Sequence, residues 1–488
     1  MQFILLTYDI ETCFRKPFDY ISNTPFMSFM LIIDKCLSVA VSYFLVYTGA
    51  KTLLTMKEIS LVCLSILVIC WSNVTGFNLT EYHLAIEELA LDERFAEEYA
   101  KWSLELFSQP DYFYGPPSNP FPCTTEGMRS SEIPTSVHAL RPGDIQCVAA
   151  LGDSLTAGMG AHAITPVGVL LENRGVSWSI GGDHTYEKVV TLPNILRLYN
   201  PKLKGFSTKT SISFLNGQNA KNNGLNAAKS GARSYHMVEQ ADLLLGRLKN
   251  EKLCDWNNDW KLITFFIGGN DLCDFCKDLT KHDPANFVGW VRDTLDRLYN
   301  ANLPRTLVNL VLVLDIRAVK ELKNGNFICG LLHKFLCPCA AYPTEEQEKL
   351  LDAWIPQYQQ GLVDLVNTGR YDGRDDFTVV IQPFLTQTQP PREADKIDFS
   401  YFAPDCFHFS GKGHSVAGLS IWNNMLEPVG TKKSSWHKGE TFECPTHDHP
   451  FIYTSKNSAA SSSTVKKSTS CSQSSSDERS QALPLKKN

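Results

Sequence analysis

The sequence predicts an α/β protein built on a mainly parallel sheet with helices on both faces. Two patterns carry this expectation. Residues 147–151, 262–267, 307–314 and 377–381 are short runs of β-branched and aliphatic residues. Strands that are apolar along their whole length are those buried on both faces. Helical periodicity separates the runs, for example at 287–299 and 345–366, and strand–helix alternation marks parallel crossover units. Val189 and Val190 form a further candidate strand.

The elements follow in chain order. Residues 37–47 are apolar but bracketed by Asp34, Lys35 and Lys51, and the stretch between is short of the about 20 residues needed to cross a bilayer. Residues 56–72 combine Lys57, an apolar run over 61–71 and small residues at Cys70 and Ser72, the layout of a signal peptide. Two glycosylation sequons follow, Asn73-Val74-Thr75 and Asn78-Leu79-Thr80, as expected of a chain entering the secretory lumen. Residues 1–55 then read as an upstream hydrophobic extension ahead of a working start at Met56. The alternative is a signal anchor that leaves the rest of the chain outside a membrane.

Residues 73–145 hold an amphipathic helix and a loop. The helix covers 82–107, with Leu84, Leu89, Leu91, Phe95 and Trp102 as its buried face. Residues 110–134 are rich in Pro, Ser and Gly and read as loop or linker. Residues 146–453 contain the strand and helix patterns and form the expected catalytic domain. Residues 454–488 are dominated by Ser and Lys. They offer too little apolar surface to offset ordering entropy, which predicts disorder.

Composition narrows the function. Lys plus Arg is 46 against 52 for Asp plus Glu, a net charge of −6 with no basic stripe, which excludes nucleic acid as the main partner. Of 15 cysteines, five lie before residue 72 or in the polar tail. The other ten are an even set suited to disulfides in an oxidising compartment. Cys273-x-x-Cys276 and Cys337-x-Cys339 are alternatively zinc half-sites, although no second half at normal spacing completes them.

Four segments carry candidate chemistry. Gly152-Asp153-Ser154-Leu155 stands at the carboxyl end of the first strand, where open α/β sheets place their sites. A serine there needs an adjacent base to become a nucleophile. Pro404-Asp405-Cys406-Phe407-His408 supplies one: Asp and His three apart can share one side of a turn, with the carboxylate holding one imidazole nitrogen. His414 competes, but no acid lies three positions before it. Between them, Asn226-Ala227-Ala228-Lys229-Ser230-Gly231 brings a glycine whose backbone can approach a ligand. Gly268-Gly269-Asn270-Asp271 ends the second strand with an amide that can donate to an oxyanion.

In this order the four blocks resemble those of the GDSL or SGNH hydrolases. The longer strings Val190-Thr191-Leu192-Pro193-Asn194 and Trp422-Asn423-Asn424-Met425-Leu426-Glu427-Pro428-Val429 are similar to the phospholipase B branch of animals. The resemblance covers roughly residues 82–445. It implies a three-layer α/β/α, flavodoxin-like SGNH fold and no metal or organic cofactor. It makes Ser154 the nucleophile, His408 the general base and acid, and Asp405 its orienter. The Ser154 amide, the Gly231 amide and the Asn270 side chain would form the oxyanion hole. The implied activity is hydrolysis of acyl esters in glycerophospholipids and lysophospholipids at a membrane or micelle interface, by a secreted or N-terminally anchored enzyme. Alternatives are an esterase acting on other lipid or glycan acyl esters and a catalytically silent lipid-binding relative.

Overall fold

A computed structural model describes residues 93–115, 120–165, 167–212 and 221–458. The upstream extension, the signal-like segment and both sequons lie outside the described residues. So do Leu84, Leu89, Leu91 and the tail beyond 458. Everything described belongs to one unit, Glu88–Asn488.

The elements run α1 (Glu93–Phe107), β1 (Ile145–Gly152), α2 (Ser154–Ala157), β2 (Leu171–Glu172), α3 (Leu192–Tyr199), β3 (Ser211–Ile212), α4 (Met237–Asn250), β4 (Trp260–Phe266), α5 (Gly269–Asp274) and α6 (Pro284–Asn300). Then come β5 (Thr306–Val311), α7 (Ala318–Gly325), α8 (Phe327–Leu336), α9 (Pro338–Ala341), α10 (Glu345–Asn367), β6 (Phe377–Gln382), β7 (Arg392–Glu393), β8 (Lys396–Ile397) and α11 (Gly411–Met425). Local signals start the helices. Thr191 caps α3 and Ser410 caps α11, while Asp283 caps α6 ahead of a first-turn proline. Thr344 and Gln347 form a capping box on α10.

The four predicted strands are parallel, in the order β1-β4-β5-β6. Every residue of β4 and β5 is buried, because the sheet is covered on both sides. Cys147, Ala149, Leu151, Ile263 and Phe265 face one core with Leu244 of α4, Leu295 of α6 and Ile355 of α10. Val148, Ala150, Leu262 and Phe266 face the other with Ile195 of α3 and Trp422 of α11. The layers are α/β/α. Emptying one such position, as in Trp422→Ala, costs about 3–5 kcal/mol.

Two expectations need correction, and one alternative, the zinc half-sites, gives way to the disulfides the cysteine count favoured. Val189 and Val190 are not a strand: Val189 N closes a turn onto Thr185 O, and Val189 O accepts from Asn194 Nδ2 at the start of α3. The zinc half-sites are each other's disulfide partners, Cys273–Cys337 and Cys276–Cys339. They join Cys123–Cys444, Cys147–Cys254 and Cys329–Cys406, so all ten central cysteines are paired. Residues 454–458, expected to belong to the polar tail, are instead packed on the core. Thr454 Oγ1 lies 2.8 Å from His138 Nδ1, and Asn457 Nδ2 donates to His138 O at 3.0 Å, which fixes residues 454–458 on the core.

The described segments before β1 are also bound to the core. Phe95 of α1 is buried and Trp102 half-buried, the latter edge-on to Phe399. The loop after α1 is tied down by Tyr112, whose carbonyl accepts from Lys412 N, and by Cys123.

Candidate active site

The strand β1 delivers the first functional group. A Cβ on its last residue, Gly152, would lie 2.6 Å from Phe266 O on β4, so only glycine fits. Gln240 of α4 clamps that residue: Gly152 N donates to Oε1 at 2.9 Å and Nε2 donates to Gly152 O at 2.8 Å. Asp153 then caps α2, accepting from Leu155 N at 3.0 Å. Ser154 is thereby the first residue of α2, where backbone N–H groups have no intrahelical acceptor. Removal from water raises the Asp153 carboxyl to about 7, against lowering pulls from the Leu155 N–H and His408.

The second group comes from a closed turn over residues 402–409. Phe402 and Phe409 pair as an antiparallel bridge, and Ala403 N donates to His408 O at 2.7 Å. Asp405 Oδ1 accepts from Phe407 N and His408 N at 3.1 and 3.0 Å. Its Oδ2 lies 2.5 Å from His408 Nδ1, and His408 Nε2 lies 2.8 Å from Ser154 Oγ. A carboxylate only accepts, so Nδ1 carries the proton and Nε2 presents a lone pair to the serine hydroxyl. Burial opposes ionisation of Asp405, but the electrostatic pull and N–H of His408 with the two backbone donors prevail and hold the carboxyl below its usual range.

A third segment reaches the same end of the sheet. Residues 225–229 run beside the outer edge of β1, with Ala150 N donating to Leu225 O and Ala227 N to Ala150 O. This leads to Gly231, left-handed at φ +75°. A buried ion pair supports the segment from below. Arg174 Nη2 lies 2.8 Å from Glu172 Oε2, with both side chains 1% exposed. Arg174 also donates to Ala228 O at 2.9 Å, and Ser230 Oγ donates to Glu172 Oε1 at 2.6 Å.

From the end of β4, Gly268 turns the chain at φ +123° into α5. Asn270 Nδ2 donates to Ala232 O at 2.9 Å, which uses one of its two amide hydrogens. Asp271 ties the two segments together, accepting from Ser234 N and Ser234 Oγ at 3.0 and 2.7 Å. Ser154 and Asn270 open on a cleft whose other walls include Leu314, Val319, Leu322 and Phe407.

Of the residues singled out in the sequence, Ser154, Asp405 and His408 meet directly. Asn270 lines the same cleft as Ser154, and Gly231 lies on the adjoining loop. His414 does not take part. Burial and the nearby charges of His162 and His408 drop its ring to about 3, and the neutral Nδ1 accepts from Trp178 N at 3.3 Å. Sequence reasoning missed Gln240 and the Glu172–Arg174 pair. Nothing local marks them: Gln240 grips a residue 88 positions away, and an acid two residues from a base ordinarily reads as solvated surface.

A GDSL-like lipase/acylhydrolase family model matches residues 148–421. The match covers more than half of the chain, which therefore belongs to that family. More particularly, the chain is 45% identical over 340 residues to a membrane-associated phospholipase B1 of Homo sapiens, covering 67% of this chain and 23% of that protein. The phospholipase B1 of Mus musculus is 44% identical over 340 residues, and that of Rattus norvegicus 43% over 338. The chain spans under a quarter of the length of these relatives. A crystal structure of phospholipase A1 from Streptomyces albidoflavus aligns over 57% of this chain and 98% of its own, at 14% identity and TM-score 0.25.

Proposed function

We propose that this chain is a serine esterase that removes acyl groups from glycerophospholipids and lysophospholipids through an acyl-enzyme. The observation that carries the reading is the Ser154–His408–Asp405 contact pair, at 2.8 and 2.5 Å, opening on an apolar cleft. Similarity to the phospholipase B1 proteins supports the lipid substrate.

Ser154 Oγ attacks the ester carbonyl while His408 Nε2 takes its proton, and Asp405 stabilises the imidazolium that forms. The Ser154 amide, the Gly231 amide and the Asn270 side chain stabilise the tetrahedral oxyanion. His408 then protonates the departing alcohol, and a water activated by the same nitrogen releases the fatty acid. The acyl chain lies against the apolar walls of the cleft, and the enzyme meets its substrate at a membrane or micelle interface. Five disulfides favour an extracellular location. Among the described residues no helix is long and apolar enough to cross a membrane.

The test is fatty-acid release from phosphatidylcholine and lysophosphatidylcholine by the full chain and by Ser154→Ala. Release that disappears in the variant supports the proposal, and equal release from both removes Ser154 from its role. Cleavage of short-chain esters alone would transfer the site to another ester class.

A further inference from the structure

Cys406 sits between Asp405 and His408, fully buried, with φ at +57°. A residue with a Cβ enters that left-handed region at a cost. Two side chains of α8 hold it there. Cys329 is bonded to its sulfur, and His333, one turn further along the same face, has Nε2 3.1 Å from Cys406 O. The helix α8 is itself anchored. Cys337 just past its end is bridged to Cys273 of α5, and Cys339 of α9 to Cys276. One block is thus covalently joined to the turn that carries His408 and to the helix that carries Asn270.

We propose that the Cys329–Cys406 disulfide is a positioning element for His408, beyond any contribution to stability. It holds residue 406 left-handed. The chain then presents the Phe407 and His408 amides to Asp405 Oδ1 and aims the imidazole between Asp405 and Ser154. Without the bridge, a side-chain-bearing residue at 406 relaxes to negative φ and the ring leaves its line with Ser154. The proposal rests on the reading of Ser154, His408 and Asp405 as the catalytic residues.

A bridge that only stabilises acts largely through the unfolded chain and leaves turnover by folded enzyme untouched. Glycine separates the two roles, because it adopts φ +57° freely while enlarging unfolded-state entropy. The experiment compares full-length wild type, C329A/C406A, C329A/C406G and the remote control C123A/C444A. Each is checked for folding by circular dichroism and assayed for kcat and KM on a soluble p-nitrophenyl acyl ester. C329A/C406A lowers kcat about tenfold, on the order of the population cost of a left-handed backbone, with KM unchanged. C329A/C406G recovers most of kcat despite a lower Tm, and C123A/C444A loses Tm but keeps kcat. Wild-type kcat in C329A/C406A overturns the proposal, as does an equal fall in the alanine and glycine forms. Failure of both forms to fold would assign the bridge to folding and also overturn it. Ser154→Ala in the same assay separates the two levels: if it retains wild-type turnover, the catalytic reading fails and the proposal falls with it.

Discussion

The turn carrying Asp405 and His408 and the loop carrying Gly231 reach the same end of the sheet, but they are fastened by different means. The turn is held by a disulfide, a short ladder and a carboxylate that accepts two backbone amides of its own turn. The loop has no disulfide; a buried Glu172–Arg174 pair grips its carbonyls and the Ser230 hydroxyl. In the proposed mechanism the His408 ring transfers the proton and must keep two opposed contacts at once, which a turn constrained by bonding and conformation suits. The Gly231 amide, proposed as an oxyanion donor, would need only a fixed carbonyl frame, and the buried charges supply one that fails badly if one partner is removed.

Five substitutions can break or sharpen this contrast. Ser154→Ala and His408→Ala remove the proposed nucleophile and the proposed general base. Either should lower kcat by on the order of 10⁶, measured as fatty-acid release. Asp405→Asn leaves the turn's shape but allows the wrong ring tautomer, and should cost about 10⁴ in kcat. If it costs less than Asn270→Ala, the turn is not where precision matters. Glu172→Gln leaves Arg174 buried without a counter-charge and should cost about 3–5 kcal/mol in denaturant unfolding. A cost near zero would mean that hydrogen bonds, not charge, hold the loop. Asn270→Ala should lower kcat by on the order of 10²–10³ with little change in KM.

A further effect, read in stability rather than in turnover, is expected at Asp153. Its folded carboxyl is raised from 3.8 to about 7. Between those values the folded chain keeps a proton that the unfolded chain has lost. Stability therefore falls as pH rises from about 4 to about 7, and the penalty is complete above that. Asp153→Asn, whose amide oxygen can still accept from Leu155 N, should raise Tm at pH 8 and leave it unchanged at pH 4. An equal Tm gain at both values would remove the ionisation from the explanation.

Much of the architecture is legible in the sequence. The four strands are continuous apolar runs because both faces of the sheet are covered, and burial on two faces leaves a direct compositional trace. Asp405 and His408 were legible as a pair because three residues span one turn, a purely local relation. Ser154 was legible from its place at a strand end between glycines. What stayed hidden is non-local. The Val189-Val190 pair is as β-branched as a strand, but its polar groups are taken by a turn and by Asn194. Residues 454–458 are polar in composition yet bound through His138.

The sequence by itself determined the layered fold and which acid serves which histidine, since both follow from periodicity and short-range geometry. Only the tertiary structure decided that the Asp405–His408 turn is carried to within 2.8 Å of Ser154, 254 positions away. It also decided that Gln240 and Arg174 hold backbone from 88 and 54 positions away, and that ten cysteines pair across separations of 63 to 321. Those contacts are properties of the folded surface against which each group is placed, and no local pattern encodes which distant segment will arrive there.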